Sequence, residues 1–200
     1  MDDIARQRFA VVDTETTGLS TVDDKVLQIG VVVVRGDGSV EEEFVTDLRR
    51  LGWGLGHVGA YAIHGITRRR LRRGMEPRAA FARLGTLLEG AIFTAHNAKF
   101  DLGFLATDAV RLGVTLDLHP ALCTLHLSRA LDPKRALSHR LHDVGRRYGC
   151  ESTQLHDALA DAQLAAQFLP KLLDDLAIRS VDDLRPYLLS NGAGSSQPAR

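Results

Sequence analysis

Two acidic residues near the amino terminus, Asp13 and Glu15, have the spacing of a cation-binding pair. They end the apolar run Phe9–Val12, which predicts a short buried strand. Residues two apart on a strand point to the same side, so the two carboxylates would repel each other unless a cation lies between them. Oxygen ligands of this kind favour Mg²⁺ or Mn²⁺. An acidic strand end in a solvated loop is the alternative interpretation.

A third acid, Asp101, follows the predicted strand Ala91–Ala95 in the segment that contains His96 and Asn97. The pattern places Asp101 in the first turns of a helix. A carboxylate there could simply complement the helix dipole, and the two residues before it could satisfy the turn. Taken alone, the segment does not distinguish these structural roles from a functional one.

A fourth acid, Asp161, lies in the mainly apolar helical pattern Ala158–Leu169. An acid in such surroundings is costly unless it has a partner or a metal ion. His156 stands at the expected start of this helix, where a solvated loop histidine is the alternative. Asp157 is well placed to cap the helix.

Together these segments resemble the motifs of the DEDDh exonucleases. This DnaQ-like family includes the proofreading ε subunit of the bacterial replicative polymerase. The resemblance runs from about Phe9 to about Leu169. The segments Asp13-Thr14-Glu15-Thr16-Thr17-Gly18, His96-Asn97-Ala98-Lys99-Phe100-Asp101 and His156-Asp157-Ala158-Leu159-Ala160-Asp161 correspond to the family's three motifs, and His64-Gly65-Ile66-Thr67 to a fourth segment.

The resemblance implies a 3′→5′ exonuclease that binds two divalent cations, Mg²⁺ or Mn²⁺, and releases nucleoside 5′-monophosphates from single-stranded DNA. It implies that the metal ligands are Asp13, Glu15, Asp101 and Asp161, with His156 as the general base. Two-metal hydrolysis places one cation at the attacking water and one at the leaving oxygen. The implied substrate contacts are Thr16, Thr17, Gly18, Leu19, His64, Gly65 and Asn97.

The fold expected from the resemblance is α/β and ribonuclease-H-like, with a mixed five-stranded sheet flanked by helices. The sequence patterns agree with an antiparallel meander followed by helix-connected strands. The expected strands are Phe9–Val12, Val26–Arg35, Val40–Val45 and Ala91–Ala95. The expected helices are Pro77–Glu89, Phe100–Leu112, His139–Tyr148, Ala158–Leu169 and Val181–Leu189, with Pro170 ending or kinking the fourth. Residues 1–190 are expected to form a single exonuclease domain, and residues 191–200 a flexible tail.

The composition limits which class of protein this can be and where in the cell we expect it. The formal net charge is zero, which argues against a protein that coats duplex DNA. No apolar run is long enough to cross a membrane, and the start lacks the pattern of a signal peptide. Two cysteines, Cys123 and Cys150, are too few for a disulfide framework. We therefore expect a cytoplasmic protein without membrane association.

Several alternatives stay open at this point. The same chemistry could act on RNA, although Thr16-Thr17 after Glu15 resembles the DnaQ branch more than the oligoribonuclease branch. A DNA polymerase could be the partner, but little sequence follows Leu189 to bind one. A catalytically silent binding module is a further alternative. The basic run Arg68–Arg73 could bind backbone phosphates or form a solvated surface, and His139 and His142 show no acidic partner in the sequence.

Overall fold

The computed structural model describes residues 3–50, 58–152 and 156–189. Its strands are β1 (Arg8–Thr16), β2 (Val26–Arg35), β3 (Val40–Asp47), β4 (Ala91–Ala95), β5 (Ala121–Cys123) and β6 (Leu188–Leu189). Its α-helices are α1 (Tyr61–His64), α2 (Arg68–Arg73), α3 (Pro77–Leu88), α4 (Ala98–Leu112), α5 (Thr124–Ala130), α6 (Leu141–Arg147) and α7 (Ala158–Asp175). Short 3₁₀ helices cover Ile4–Arg6 and Asp182–Tyr187. The predicted tail, residues 191–200, lies outside the described residues.

Within these ranges the strands form one mixed sheet in the order β3-β2-β1-β4-β5-β6. The first three strands make the predicted antiparallel meander, and the turn between β2 and β3 has Gly38 at a φ of 90°. Strands β4 and β5 then add in parallel to β1. The expected α/β, ribonuclease-H-like architecture is confirmed, and the two-residue strand β6 adds a sixth strand to the five expected.

Hydrophobic side chains pack on both faces of the sheet. One core joins Ala10 and Val12 of β1 to residues of α3 and α4, whereas Phe9 and Val11 pack with α6 and α7. Alternation along β1 therefore directs Asp13 and Glu15 to the α7 face of the sheet. Burial of a large apolar side chain such as the fully buried Phe168 stabilises the fold by about 1.5–3 kcal/mol. No described helix has the length and apolar character needed to cross a membrane.

Three of the differences from the expected elements have a clear physical cause. Strand β1 continues past Asp13 to Thr16 because β2 pairs with it along this whole length. Helix α7 continues through Pro170 to Asp175, where the buried residues Leu172 and Leu173 offset the cost of an interior proline.

The third difference concerns residues 181–189, which do not form the expected α-helix. A 3₁₀ turn covers Asp182–Tyr187, and Pro186 within it has no backbone N–H to donate. Leu188 and Leu189 then pair with the open edge of β5.

A close approach between β2 and α7 fixes where α7 begins. Gly30 pairs with Asp13 across the sheet, and a Cβ added to Gly30 would lie 2.3 Å from the carbonyl carbon and oxygen of Ala158. The first turn of α7 can therefore rest directly on the sheet beside Asp13. This contact brings Asp161, one turn further along the helix, to the carboxyl half of β1.

We predict that Gly30→Ala displaces the start of α7 and lowers the free energy of unfolding by about 1–3 kcal/mol, the usual cost of overpacking. Gly85→Ala, in helix α3, is the matched control. A Cβ at Gly85 would lie 3.5 Å from Leu116 Cδ2, which is an ordinary van der Waals contact. The control should be neutral or stabilising by about 0.5–1 kcal/mol. Chemical denaturation of both variants measures the difference, and equal stabilities would contradict the proposed close contact.

Candidate active site

The candidate site lies where β1 extends beyond its parallel neighbour. The last pair between β1 and β4 is Val11 with Thr94, so the β4 side of β1 is open from Asp13 onward. On the other side, Asp13 and Glu15 pair with Gly30 and Gln28 of β2. Asp13 keeps partial exposure, whereas Glu15 is almost fully buried. Open ends of strands such as this one are common positions for ligand sites in α/β proteins.

Asp101 reaches the same region from the first turn of α4. The connection from β4 turns sharply at Asn97, which adopts the left-handed conformation with φ 66° that asparagine tolerates better than most residues. Asp101 is only 3% exposed, and its Oδ1 accepts a hydrogen bond of 2.8 Å from Thr14 Oγ1. Thr14 lies between Asp13 and Glu15 in β1. Its hydrogen bond therefore links Asp101 on α4 to the strand that carries the acidic pair.

His156 and Asp161, the remaining two predicted residues, lie at the start of α7. Asp157 caps the helix by accepting hydrogen bonds from the backbone N–H groups of Leu159 and Ala160, as predicted. His156, just before the cap, is exposed and has a φ of 57°. Ligand atoms of Glu15, His156 and Asp161 all lie within 4.8 Å of one another. Asp13 and Asp101 are not part of this three-residue group, but Asp13 is close enough to Asp101, Asp161 and Glu15 for their charges to raise its pKa. The structure therefore brings the five residues to one region, from β1, α4 and the start of α7.

Burial and mutual repulsion raise the pKa values of the carboxyl groups. For Asp13 the pKa is raised well above its usual range, first by burial and then by the charges of Asp101, Asp161 and Glu15. Burial, followed by the charges of Asp161 and Asp157, raises the pKa of Glu15 from 4.5 to about 7. Burial likewise raises the pKa values of Asp101 and Asp161.

This electrostatic arrangement fits a bound divalent cation. Within the described residues, no lysine or arginine forms an ion pair with any of the four carboxylates. Asp161 Oδ1 is buried and makes no hydrogen bond. Carboxylate oxygens suit a hard divalent cation, whose charge would offset the repulsion.

Two histidines have acidic partners that the sequence did not indicate, which corrects the expectation above. His142 Nε2 lies 3.4 Å from Asp161 Oδ1, and His139 Nε2 lies 3.3 Å from Asp132 Oδ2. The positive charge of a protonated His142 would lower the pKa of Asp161. Packing of α6 against α7 creates the first contact, so no local spacing could have revealed it.

The loop after β1 holds most of the predicted substrate contacts. Its shape depends on Asp24, which accepts hydrogen bonds from Thr17 Oγ1 at 2.7 Å and from the backbone of Ser20 at 2.9 Å. Thr16 Oγ1 donates to the Gly18 carbonyl, and Gly18 packs so closely that a Cβ would lie 2.4 Å from the Asp24 carboxylate. Leu19 is left 85% exposed at the tip. The threonine hydroxyls therefore shape the loop, while Leu19 presents an apolar surface.

His64 and Gly65 lie on a segment that packs against this loop. A Cβ on Gly59 would be 2.0 Å from the carbonyl oxygen of Thr17, so the two backbones are in contact. Both ring nitrogens of the buried His64 are engaged, by the Gly59 carbonyl at 2.8 Å and the Ile66 amide at 2.9 Å. Asn97, by contrast, is exposed, and its side chain makes no hydrogen bond with any described residue.

His96, adjacent to Asn97, is a structural residue. Its ring contacts Thr124 Oγ1 and the His139 carbonyl, both at 2.9 Å. Burial lowers the pKa of His96 to about 4, so the ring is neutral near pH 7. It fastens the connection between β4 and α4 to the neighbouring elements and thereby fixes the start of the helix that carries Asp101.

An acidic cluster on this fold, with a histidine beside it, is the arrangement of a nuclease. The sequence profile of a family described as exonuclease, RNase T, matches residues 10–169, and the chain belongs to that exonuclease family. PolC-type DNA polymerase III of Lacticaseibacillus paracasei is 33% identical over 181 residues, and that of Bacillus cereus 30% over 175. These alignments cover 88% and 86% of the chain but only 12% of each polymerase.

Solved structures show the same fold at lower identity. E. coli exonuclease I in complex with a dT13 oligonucleotide superposes with a TM-score of 0.73 at 22% identity, covering 86% of this chain and 42% of that one. A 3′-exonuclease that recognises the histone mRNA stem-loop gives a TM-score of 0.68 at 14% identity, covering 87% and 84%. The expected family and fold are thus confirmed, and the roles of single residues remain predictions.

The raised pKa values predict a pH-dependent stability of the metal-free protein. Folded Glu15 keeps its proton up to about pH 7, whereas the unfolded chain releases it near 4.5. The folded state therefore binds more protons in this window, and the free energy of unfolding should fall as the pH rises through it. Thermal unfolding in a chelator over this pH range measures the effect.

Glu15→Gln is the control for this prediction and should flatten the decline, because the amide does not titrate. Added Mn²⁺ should also flatten it by favouring the ionised carboxylates. A metal-free protein whose melting temperature is constant across the window, or a Glu15→Gln variant with an unchanged slope, would contradict the electrostatic assignment.

Proposed function

We propose that this chain is a DEDDh-type 3′→5′ exonuclease that removes nucleoside 5′-monophosphates from the 3′ end of single-stranded DNA. The observation that carries the proposal is the convergence of Asp13, Glu15, Asp101, Asp161 and His156 from separate elements. Membership of the exonuclease family supports hydrolysis of phosphodiester bonds as the reaction.

The four carboxylates would hold two divalent cations, which we propose are Mg²⁺ or Mn²⁺. Bound there, the cations would supply a water of lowered pKa and would neutralise charge on the phosphate. The structure of an E. coli exonuclease I complex with single-stranded DNA contains zinc, which supports a cation site in a protein of the same fold. The carboxylates of this chain would hold the cations, and the Thr14–Asp101 hydrogen bond would keep one of these carboxylates in position.

His156 is proposed as the general base. Its ring lies within ligand distance of Glu15 and Asp161, and its exposure leaves it free to take a proton from water at that position. An imidazole ring nitrogen is a common acceptor for such a proton in general-base catalysis.

The terminal nucleotide is proposed to lie against the loop Thr16–Leu19. The exposed Leu19 would pack against a base, and the amide of Asn97 would offer a polar contact. His64 and Gly65 would contribute through the segment that packs on Thr17, with the His64 ring maintaining the shape of that segment.

DNA is the proposed substrate, in proofreading or repair within the cytoplasm. The DNA polymerases among the relatives and the oligonucleotide complex of exonuclease I support this choice. The histone mRNA exonuclease of the same fold supports RNA as the alternative. Association with a DNA polymerase is a further proposal, supported by the polymerase relatives of which this chain spans 12%.

We predict that His156→Ala lowers the rate of nucleotide release by roughly 10²–10⁴ while Mn²⁺ still raises the melting temperature, because the four carboxylates remain. Asp161→Asn should lose both properties. His119→Ala is the control, since His119 precedes β5 and so lies at the opposite end of the sheet. Near-normal turnover by His156→Ala would exclude this residue as the base.

Digestion of matched single-stranded DNA and RNA oligonucleotides, labelled at the 5′ end, tests the substrate. We expect stepwise shortening from the 3′ end in Mg²⁺ or Mn²⁺, with a higher kcat/KM for DNA. A higher kcat/KM for RNA would favour the alternative substrate. Products cut internally or from the 5′ end would contradict the proposed reaction.

A further inference from the structure

Helix α2 concentrates positive charge on an otherwise neutral chain. It consists of Arg68, Arg69, Arg70, Leu71, Arg72 and Arg73, whereas the formal net charge of the whole sequence is zero. Only Arg70 forms an ion pair with a described residue, through two hydrogen bonds of 2.6 and 2.8 Å to the Asp47 carboxylate. The other four arginines make no ion pair or hydrogen bond through their side chains within the described parts of the chain.

The helix that carries these arginines is firmly held. Leu71 is buried against Leu27, Val58 and Ile66. The residue after the helix, Gly74, packs so tightly that a Cβ would lie 2.4 Å from the Asp47 carbonyl oxygen. Met75 then forms a bridge with Leu48 next to β3. Charges on a fixed element lose less conformational entropy when a ligand binds, so this arrangement suits recognition of an anion.

A surface groove of about 450 Å³ runs along one side of this helix. Its lining includes Thr67, Arg69, Arg70, Arg73 and Met75, together with the end of β3. Arg69 and Arg73 are four residues apart and so project from the same side of the helix. Arg68 and Arg72 have the same spacing but do not line the groove.

The groove is connected to the candidate active site through two side chains. Asp47, which holds Arg70, also accepts a 3.1 Å hydrogen bond from Gln28 Nε2, and Gln28 Oε1 accepts one of 3.0 Å from the Ala158 amide. The hydrogen bonds with Asp47 are the main cause of the raised pKa of Arg70, and Asp157 is close enough for its charge to raise it further. The arginine groove therefore lies near the start of α7, where His156 and Asp161 are found.

We propose that this groove binds backbone phosphates of the single strand, on the 5′ side of the nucleotide being removed. The inference rests on the proposed function. The acidic cluster repels a polyanion, so a strand that places its 3′ end there gains from cationic contacts further along its backbone. Guanidinium groups suit phosphate oxygens, and such contacts carry no base specificity.

The test compares Arg69→Gln/Arg73→Gln with the matched control Arg68→Gln/Arg72→Gln. Each pair removes the same charge from the same helix at the same spacing, but only the first pair lines the groove. The substrates are a single-stranded oligothymidylate of about twelve nucleotides and the p-nitrophenyl ester of thymidine 5′-monophosphate, which has no upstream phosphates. Both are assayed in Mn²⁺ over a series of salt concentrations.

For the groove variant we expect kcat/KM on the oligonucleotide to fall by about tenfold or more. Each phosphate contact to a single strand contributes about 0.7 to the slope of log affinity against log salt, so the slope should decrease by about 1.4. Hydrolysis of the ester should not change, and the control should keep most of the wild-type slope.

The outcomes separate this inference from the proposed function. If the wild-type protein hydrolyses both substrates but the groove variant keeps the wild-type slope and kcat/KM, the groove does not bind the strand. Equal losses in both arginine pairs would show a general field effect and would also overturn the inference. If the wild-type protein hydrolyses neither substrate, the proposed function itself fails.

Discussion

The mutual repulsion of four carboxylates at one end of β1 is the constraint on which the rest of this structure depends. Burial and neighbouring negative charges raise their pKa values, and no lysine or arginine among the described residues pairs with them. Such a cluster destabilises a folded chain unless cations or protons neutralise it. The surrounding elements therefore have to hold the acids together against this repulsion. A bound divalent cation would attract all four carboxylates and would thereby stabilise the folded state.

Contacts made by three residues hold the acids in place. Gly30 lets α7 approach the sheet beside Asp13, and Gln28 accepts a hydrogen bond from the first amide of that helix. Thr14 anchors Asp101 from the opposite face of the same strand. Because Gln28 also donates to Asp47, which holds Arg70, the same set of contacts links the acidic site to the arginine-rich surface. The acidic site and the proposed strand path thus share one set of contacts.

Local spacing and periodicity predict the meander and most helices, whereas the grouping of the four acids into one site is implied by the family resemblance. The sequence does not predict the contact of His142 with Asp161, which arises only when α6 packs on α7. The sequence pattern predicts helix where β6 lies, because the pairing partner of β6, the edge of β5, is distant in the chain. Pro170 predicts an end or a kink in α7; the helix does not end there, because tertiary burial of Leu172 and Leu173 outweighs the local effect of the proline. The sequence also does not indicate which arginines of Arg68–Arg73 line a groove, because this depends on how α2 packs beside β3.

The most direct test of the central claim is the anomalous scattering of Mn²⁺ in crystals of this protein. The account predicts two peaks about 4 Å apart, surrounded by oxygens of Asp13, Glu15, Asp101 and Asp161, and loss of at least one peak in Asp161→Asn. Crystals in saturating Mn²⁺ with no peak among these side chains, or with peaks that persist unchanged in that variant, would contradict it.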